Sequence, residues 1–403
     1  MLPFSPPRID DKICNAVVEA LKSGWITTGP RTKEFERRIT DYCGNKATLC
    51  LNSATAGLEI MLRWYGVGEG DEVILPAYTY SATANVIMHC GAKPVFVDVN
   101  YDDFNIDVSE ISEKINENTK VIMPVDFGGM PCQYEVINQL VEAYRNKFVA
   151  KSENQKKLGR ILVLSDAAHS FGASLNGKKT GSLCDVSVFS FHAVKNLSTA
   201  EGGAVALNFD ESIFSNQQIY QELCVKTLHG QNKDALAKTQ RGNWRYDIVE
   251  AGYKCNMTDI AAAIGLIELE RYESDNLRRR KEIVTLYLSL LKSVPKLELP
   301  IFEDTNRKSS YHLFPLRIRG INEAQRDEII KEIFEREISV NVHFIPVPCM
   351  SFYKALGYSI DDYKTTYDNF SREITLPLYY DLTDDQVRSV VKAVADSIAK
   401  VLG

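Results

Sequence analysis

Short apolar runs alternate with helical spacing through the first two thirds of the chain. Apolar residues predominate in Ala47–Leu51 and Glu72–Leu75, and they recur in KPVFVDV, KVIMPVDF and RILVLSDAAHS. The intervening stretches predict helices, one opening at Ser53 and another near Ala82–His89. Continuous β-branched runs between helices are typical of parallel strands that are buried on both faces. The pattern therefore predicts an α/β fold whose large, mostly parallel sheet is covered by helices.

The two ends of the chain differ from this middle region. Near the N-terminus, Asp10 and Asp11 precede a run with helical spacing that ends at Gly24. After Met257 a long helical run begins, and it is followed by HLFPLRI, a helix over Asn322–Arg336, SVNVHF and a last helix from Thr383. We predict a large domain over residues 1–275, including the N-terminal helix, and a small α+β domain over 276–403. The charged stretch at 145–159 predicts a helix end and a solvated surface loop.

Composition narrows the class of protein. The chain has 403 residues and a net charge of −6, so an affinity for nucleic acid is not expected. Its apolar runs are shorter than the roughly 18 residues of a membrane span, and Met1–Pro7 lacks the features of a signal peptide. The nine cysteines include no Cys-x-x-Cys pair, so we expect neither metal nor disulfide, and a cytoplasmic location. The cysteines expected to be buried are Cys14, Cys43, Cys90 and Cys184.

One lysine stands out in the stretch SFHAVKNLSTAEGG, residues 190–203. It is Lys195, which lies between two expected strands, VSVFSF and GGAVALN, among apolar and small polar residues. An ammonium in such surroundings is costly unless it is paired or neutralised as an imine. A surface loop would explain the lysine equally well if nothing else pointed to a site.

Two other segments do point to a site. Asp166 ends the strand ILVLSD, at the edge where parallel sheets bind ligands. Ser53 to Gly57 opens a helix after a strand, and the free N–H groups and hydroxyls there suit an anion, although an ordinary helix cap has the same pattern. A phosphate cradle, an acid for a ring nitrogen and a Schiff-base lysine are together what pyridoxal phosphate requires.

A family resemblance extends over nearly the whole chain. It is carried, in order, by SGWITTGPRTKEFE, LNSATAGLEI, LPAYTYSATANVI, GAKPVFVDV, DAAHSFGA, GSLCDVSVFSFHAVKNLSTAEGG, LHG, GYKCNMTDIAAAIGLIEL and LPLYYDLT. These motifs resemble the DegT/DnrJ/EryC1/StrS sugar-nucleotide aminotransferases, which are fold-type I pyridoxal 5'-phosphate enzymes. The resemblance implies that this chain has the same fold and cofactor.

The resemblance also implies a role for individual residues. Lys195 would form the Schiff base with the cofactor and act as the catalytic base. Asp166 would pair with the pyridinium nitrogen, His169 would lie beside the ring hydroxyl, and Tyr80 would stack on the ring. The phosphate would be held by Ala54, Thr55 and Ser190, and by Lys254 from the neighbouring subunit. The enzyme would then be a homodimer with shared active sites.

The implied reaction transfers an amino group from L-glutamate to a nucleotide-linked 4-keto-6-deoxy sugar. NSATAGL and SFHAVKN resemble the branch that aminates C4, whereas enzymes that aminate C3 more often have GTDAL. Amination at C3 stays an alternative, as does a regulatory protein that has kept the fold. A related dehydratase group has histidine at the position of Lys195, so the lysine argues against that activity.

Several positions depart from the usual pattern of the family. Lys254, Cys255 and Asn256 replace part of GYNYRM, and Ser165 replaces a frequent glutamate. Asp126 stands where histidine is common, and Pro348 and Cys349 fall near a second common histidine. We expect these changes to bear on substrate recognition rather than on the cofactor. Arg31 and Arg245 are candidates for binding the nucleotide phosphates.

Overall fold

The computed structural model describes residues 1–232 and 245–403. Its main sheet has seven strands in the order β1-β9-β8-β5-β4-β2-β3. All neighbouring pairs from β8 to β3 are parallel, and β9 runs antiparallel to both β8 and β1. The predicted α/β class with a large, mostly parallel sheet is confirmed. The strands are β1 (Ala47–Leu51), β2 (Glu72–Pro76), β3 (Lys93–Val97), β4 (Thr119–Ile122), β5 (Leu162–Asp166), β8 (Val186–Ser190) and β9 (Gly203–Leu207).

Helices cover this sheet because their apolar faces need a partner surface. Residues such as Leu58 and Leu62 are almost fully buried in a core shared with the strands. The helices before residue 233 are α1 (Asp11–Lys22), α2 (Pro30–Cys43), α3 (Ala54–Tyr65), α4 (Ser81–His89), α5 (Val108–Lys114), α6 (Tyr134–Ala143), α7 (Glu153–Leu158) and α8 (Asn216–Lys226).

The C-terminal part has a three-stranded antiparallel sheet in the order β10-β12-β13, backed by helices. A second small sheet pairs β11 with β6, which in turn pairs with β7, so a C-terminal strand joins an earlier hairpin. The remaining strands are β6 (Ser174–Leu175), β7 (Lys178–Lys179), β10 (Leu297–Glu298), β11 (Arg307–Lys308), β12 (Phe314–Ile318) and β13 (Glu373–Leu376). The helices after residue 244 are α9 (Asp259–Glu270), α10 (Arg278–Leu291), α11 (Glu323–Phe334), α12 (Ser351–Ala355), α13 (Lys364–Arg372) and α14 (Asp384–Leu402).

The long helical run after Met257 is interrupted. Thr258 caps α9, but a π-helical segment at Tyr272–Leu277 separates α9 from α10. This segment spans the boundary that we predict between residues 275 and 276. One apolar cluster contains residues from both sides of it, including Phe35 and Phe314. The two-domain division stays a prediction.

One local expectation was wrong in part and another was wrong. The stretch 145–159 contains the helix α7, whose Gln155 and Leu158 are buried. The Ser152 hydroxyl and the Gln155 amide donate to the carbonyls of Tyr65 and Gly66 at 2.7 and 3.2 Å, so polar contacts bind this segment to the end of α3. Cys14 is exposed rather than buried, because it lies on the outer face of α1.

The other cysteines of the buried set agree better with expectation, since Cys43 and Cys184 are buried and Cys90 is half-buried. Within residues 1–232 and 245–403, no helix combines the length and the apolar character that crossing a membrane requires.

Candidate active site

A cavity of about 410 Å³ opens at the carboxyl edge of the main sheet. This is where α/β sheets bind their ligands, because strand ends and helix N-termini meet there. Residues from three separate parts of the chain line it: the N-terminal segment, the strand ends of the main sheet, and the C-terminal part. The predicted site residues on its wall are Ala54, Thr55, Tyr80, Asp166, His169, Ser190 and Lys195.

One end of the cavity is formed by the N-terminus of α3, whose first N–H groups face no acceptor among the described residues. Ser53 caps α3, its hydroxyl accepting from the Ala56 N–H at 3.1 Å. No acceptor within the described chain takes the N–H groups of Ala54 and Thr55, which therefore remain available to a ligand. A side chain at Gly203 would place its Cβ 2.4 Å from the Ala54 nitrogen, so glycine is required for β9 to approach α3 this closely.

Asp166 lies on the floor of the cavity and is 6% exposed. One carboxylate oxygen accepts from the Thr83 hydroxyl at 2.8 Å, and the other accepts from the Ala168 N–H at 3.2 Å. Burial raises the pKa of this carboxyl, while the two hydrogen bonds and the charge of Lys195 act in the opposite direction. A cationic group in the cavity would therefore favour the ionised carboxylate.

Lys195 is half-buried in the same wall, beyond the end of β8. Burial lowers the pKa of its amine to about 8, although the negative charge of Asp166 raises it. The following residue, Asn196, fixes the segment, because its amide donates to the Ser310 carbonyl at 2.7 Å. Asn276 donates to the Asn196 carbonyl at 2.6 Å. An amine with such a lowered pKa has a larger neutral, nucleophilic fraction near pH 7 than an ordinary lysine does.

The comparisons with known proteins agree with this geometry. The model of the DegT/DnrJ/EryC1/StrS aminotransferase family matches residues 7–395. The chain belongs to this family. A Streptococcus pneumoniae protein, Spr1654, that is assigned as a sugar aminotransferase matches with a TM-score of 0.96 and 45% identity, and the match covers all of both chains. Its solved structures include a pyridoxal phosphate form and a pyridoxamine phosphate form.

Two relatives have informative names. The spore coat polysaccharide biosynthesis protein SpsC of Bacillus subtilis is 34% identical, over 98% of this chain and 97% of that protein. The UDP-4-amino-4-deoxy-L-arabinose–oxoglutarate aminotransferase of Shewanella sediminis is 33% identical, over 98% of each. The protein is thus an aminotransferase that uses pyridoxal 5'-phosphate.

The residues of the cavity fit this cofactor. The free N–H groups at the start of α3 and the Ser190 hydroxyl are donors suited to a phosphate. A buried carboxylate, Asp166, suits a protonated ring nitrogen, and the amine of Lys195 suits an aldehyde. His169 lies against the same wall and is 8% exposed.

Among the predicted residues, Tyr80 lines the cavity but stays largely exposed, and Lys254 does not line it. Tyr80 lines it, but its side chain is 61% exposed, and its ring lies 5.8 Å from that of Phe344. Lys254 is exposed, and its amine donates to the Asn256 carboxamide rather than to any group of the cavity. The two arginines suggested for the nucleotide also lie outside the cavity lining: Arg31 donates to Ser23 at 3.3 Å, and Arg245 is exposed.

The departures from the family pattern also lie off the cavity. Asp126 is completely buried and accepts from the Tyr134 and Ser170 hydroxyls at 2.7 and 2.6 Å. Ser165 is likewise buried and is bonded to Tyr134. Pro348 and Cys349 do not line the cavity within the described chain. These four side chains therefore do not face a ligand in the cavity directly.

Sequence reasoning missed several further residues that line the cavity. They come from the two ends of the chain and include Phe4, His312, His343 and Phe344. Phe4 stacks on His343 with ring centroids 5.6 Å apart. Burial lowers the pKa of His343 to about 3, and the charge of Lys195 acts in the same direction. A histidine in each of the motifs HLFPLRI and SVNVHF was the available signal, but a single histidine has no periodicity that would indicate a site.

Proposed function

We propose that the protein transfers the amino group of L-glutamate to C4 of a nucleotide-linked 4-keto-6-deoxy sugar, for the synthesis of a surface polysaccharide or glycan. The observation that carries this proposal is the meeting of three features in one cavity: the amine of Lys195, the carboxylate of Asp166 and the open N-terminus of α3. Each feature has a common structural explanation by itself. Their arrangement around one space matches the chemistry of the cofactor.

The names of the relatives support the choice of substrate. The Shewanella relative is named for a UDP-linked 4-amino sugar and for oxoglutarate, the keto acid that L-glutamate leaves behind. The Bacillus relative is named for spore coat polysaccharide. A neighbour from Helicobacter pylori, 27% identical with a TM-score of 0.85, is named as an aminotransferase of pseudoaminic acid biosynthesis. These names favour an amino-sugar product, and the first favours C4.

Pyridoxal phosphate, when bound, carries the amino group and withdraws electrons from the reacting carbon. We assign the proton transfers to Nζ of Lys195, because an amine with a pKa of about 8 can both accept and return a proton near neutral pH. Asp166 would keep the ring nitrogen protonated, and the Thr83 hydroxyl orients that carboxylate by donating to it at 2.8 Å. The N–H groups of Ala54 and Thr55 and the Ser190 hydroxyl would hold the phosphate.

We further propose that the active site is shared across a homodimer. Lys254 is exposed and lies outside the cavity of its own chain, so it is free to reach the cofactor phosphate of a neighbouring subunit. The proposal has a mixing test. Subunits with Lys195→Ala and subunits with Lys254→Ala are purified, combined and allowed to exchange.

In a shared site, the mixed dimer carries both lesions in one site and neither in the other. Activity should therefore reappear on mixing two weak parents. If each site were built within one chain, every site would carry one lesion, and the activity of the mixture would be the average of the parents.

The substrate is tested with a panel of nucleotide-linked ketosugars. The purified enzyme is incubated with L-glutamate and each 4-keto or 3-keto sugar, and the products are identified by mass and NMR. We expect a 4-amino product and one equivalent of 2-oxoglutarate. An amine at C3, or turnover of none of the nucleotide sugars, would overturn the proposed substrate while leaving the aminotransferase activity in place.

A further inference from the structure

Two imidazole rings lie side by side on the cavity wall. The side chains of His169 and His312 are 8% and 4% exposed, and their ring centroids are 4.4 Å apart. Both rings line the cavity that contains Lys195. The family resemblance implies a role for His169 but none for His312.

The hydrogen bonds of Asn196 define the proton position on His312. The Asn196 amide nitrogen donates to the Ser310 carbonyl at 2.7 Å, and because a carbonyl can only accept, the orientation of this amide is fixed. The Asn196 oxygen lies 2.9 Å from Nδ1 of His312 and must accept. His312 therefore carries a proton on Nδ1.

The proton position on His169 is the opposite one. The backbone N–H of Gly128 donates to Nδ1 of His169 at 3.3 Å, so that nitrogen presents its lone pair. Burial lowers the pKa of both imidazoles well below the usual value, and the charge of Lys195 lowers both further. Each ring is consequently neutral near pH 7, with His169 protonated on Nε2 and His312 unprotonated on Nε2.

The backbone that carries His312 is held firmly. Arg280 is buried, and its guanidinium donates to the carbonyls of Tyr311, His312 and Leu378 at 3.0 Å each. Asn196, the partner of the imidazole, directly follows Lys195 in the chain. Within the described chain both rings make their hydrogen bonds through Nδ1 and none through Nε2, and each residue borders the cavity. The two neighbouring rings thus offer the cavity one donor nitrogen, on His169, and one acceptor nitrogen, on His312.

We propose that His312 is a positioning residue whose Nε2 accepts a hydrogen bond from an O–H or N–H group of a bound substrate, beside the donor Nε2–H of His169. The donor group is either a sugar hydroxyl or the amine of the amino acid. The identity of the two substrates rests on the function proposed above. The tautomers rest only on the hydrogen bonds of this chain.

The tautomers are measured first, because this needs no substrate. The full-length protein, labelled with ¹⁵N-histidine, is studied with and without pyridoxal phosphate by long-range ¹H–¹⁵N correlation NMR. The chain has six histidines, so single variants can assign the signals. We expect His312 to be protonated on Nδ1 and His169 on Nε2. A His312 signal with the proton on Nε2 would overturn the proposal, even if the proposed substrates were correct.

A pair of variants separates the two nitrogens of His312. In His312→Asn the new amide falls near the position of Nδ1 and can still donate to Asn196, but the acceptor in the cavity is lost. In His312→Gln the amide falls near Nε2, and the bond to Asn196 is lost. We expect His312→Asn to keep the melting temperature of the wild type and to raise KM about tenfold, as the loss of one hydrogen bond implies. His312→Gln should melt earlier.

The substrate whose KM rises identifies the source of the hydrogen bond, L-glutamate or the nucleotide sugar. His89→Asn is the matched control, since His89 is an exposed histidine bonded to Glu59 at 2.9 Å, and this variant should keep both KM values. If His312→Asn leaves both KM values unchanged, the acceptor role is wrong. If the wild type turns over no nucleotide sugar while the tautomers are as described, only the proposed substrate fails.

Discussion

Two buried aspartates follow neighbouring parallel strands and have opposite surroundings. Asp166 ends β5, Asp126 follows β4, and the N–H of Asp126 donates to the carbonyl of Asp166 at 3.2 Å. Asp126 is fully enclosed: it accepts from two hydroxyls and from the Cys132 N–H at 2.8 Å. Asp166 has two hydrogen bonds, and its remaining surroundings are the cavity and the charge of Lys195.

The different surroundings of Asp126 and Asp166 suit two different roles, stabilisation of the fold and binding of a ligand. A carboxylate whose acceptor positions are filled by the protein stabilises the local fold and has little left to offer a ligand. A carboxylate with an open side next to a cation keeps a strong interaction for a charged group that enters. Burial raises the pKa of both side chains, so a raised pKa does not by itself distinguish the two. The two roles are distinguished by the groups that surround each carboxylate.

The largest effect should come from removing the cation next to Asp166. Lys195→Ala takes away the amine that we assign to cofactor attachment and proton transfer, and turnover should fall at least a thousandfold. The visible absorbance of the lysine-bound cofactor should disappear as well. Lys195→Arg is the matched variant, since it keeps a positive charge but cannot form an imine. Transamination by either variant at the wild-type rate would show that Lys195 has another role.

Asp166→Asn should have the next largest effect. The amide keeps the shape of the side chain but removes the charge that stabilises a protonated ring nitrogen. Other active sites that lose one such electrostatic contact lose about 3–4 kcal/mol of barrier lowering. We therefore expect kcat to fall by two to three orders of magnitude with an unchanged far-UV circular dichroism spectrum. A loss below about tenfold would mean that Asp166 does not serve the ring nitrogen.

The surroundings of Asp166 could largely be predicted from the sequence. The β-branched runs predict parallel strands, and the carboxyl ends of such strands meet at one edge of the sheet. Asp166 and Lys195 are therefore expected near the same edge, and both line the cavity there. Ser53 was also recognisable, because a serine after a strand and before an apolar run is a common helix cap. These signals are local and repeat along the chain. The roles of the individual residues needed the family resemblance as well.

Other features of the site and the fold could not be predicted from the sequence. His312 and His343 reach the cavity from a distant part of the chain, and their positions depend on long-range hydrogen bonds such as the one from Asn196 to Ser310. The closed state of Asp126 was equally hidden, since Ser170 lies 44 residues away in the chain. Helix α7 was missed because polar contacts to α3, rather than apolar periodicity, hold it in place.

Asp126→Ala tests whether the enclosed carboxylate stabilises the fold. Removing this carboxylate leaves the Tyr134 and Ser170 hydroxyls and the Cys132 N–H without their buried acceptor. We expect the free energy of unfolding to fall by about 3–4 kcal/mol, measured by urea denaturation. The activity of the remaining folded enzyme should stay within about threefold of the wild type. A large loss of kcat at unchanged stability would place Asp126 in the catalytic machinery.

The smallest effect is a pH dependence that belongs to Asp126 alone. Burial raises the pKa of this carboxyl from 3.8 to about 6, so the folded protein binds the proton more tightly than the unfolded chain does. Stability from this group is then complete below about pH 4 and declines as the pH rises towards 6.

Asp126→Asn cannot titrate there, and its amide can still accept from Tyr134 and donate to Ser170. The difference in unfolding free energy, wild type minus Asp126→Asn, should therefore fall by up to about 3 kcal/mol between pH 4 and 7. All other groups titrate alike in both proteins and cancel. A difference that rises with pH would mean that the hydrogen bonds to Asp126 outweigh its burial and lower its pKa.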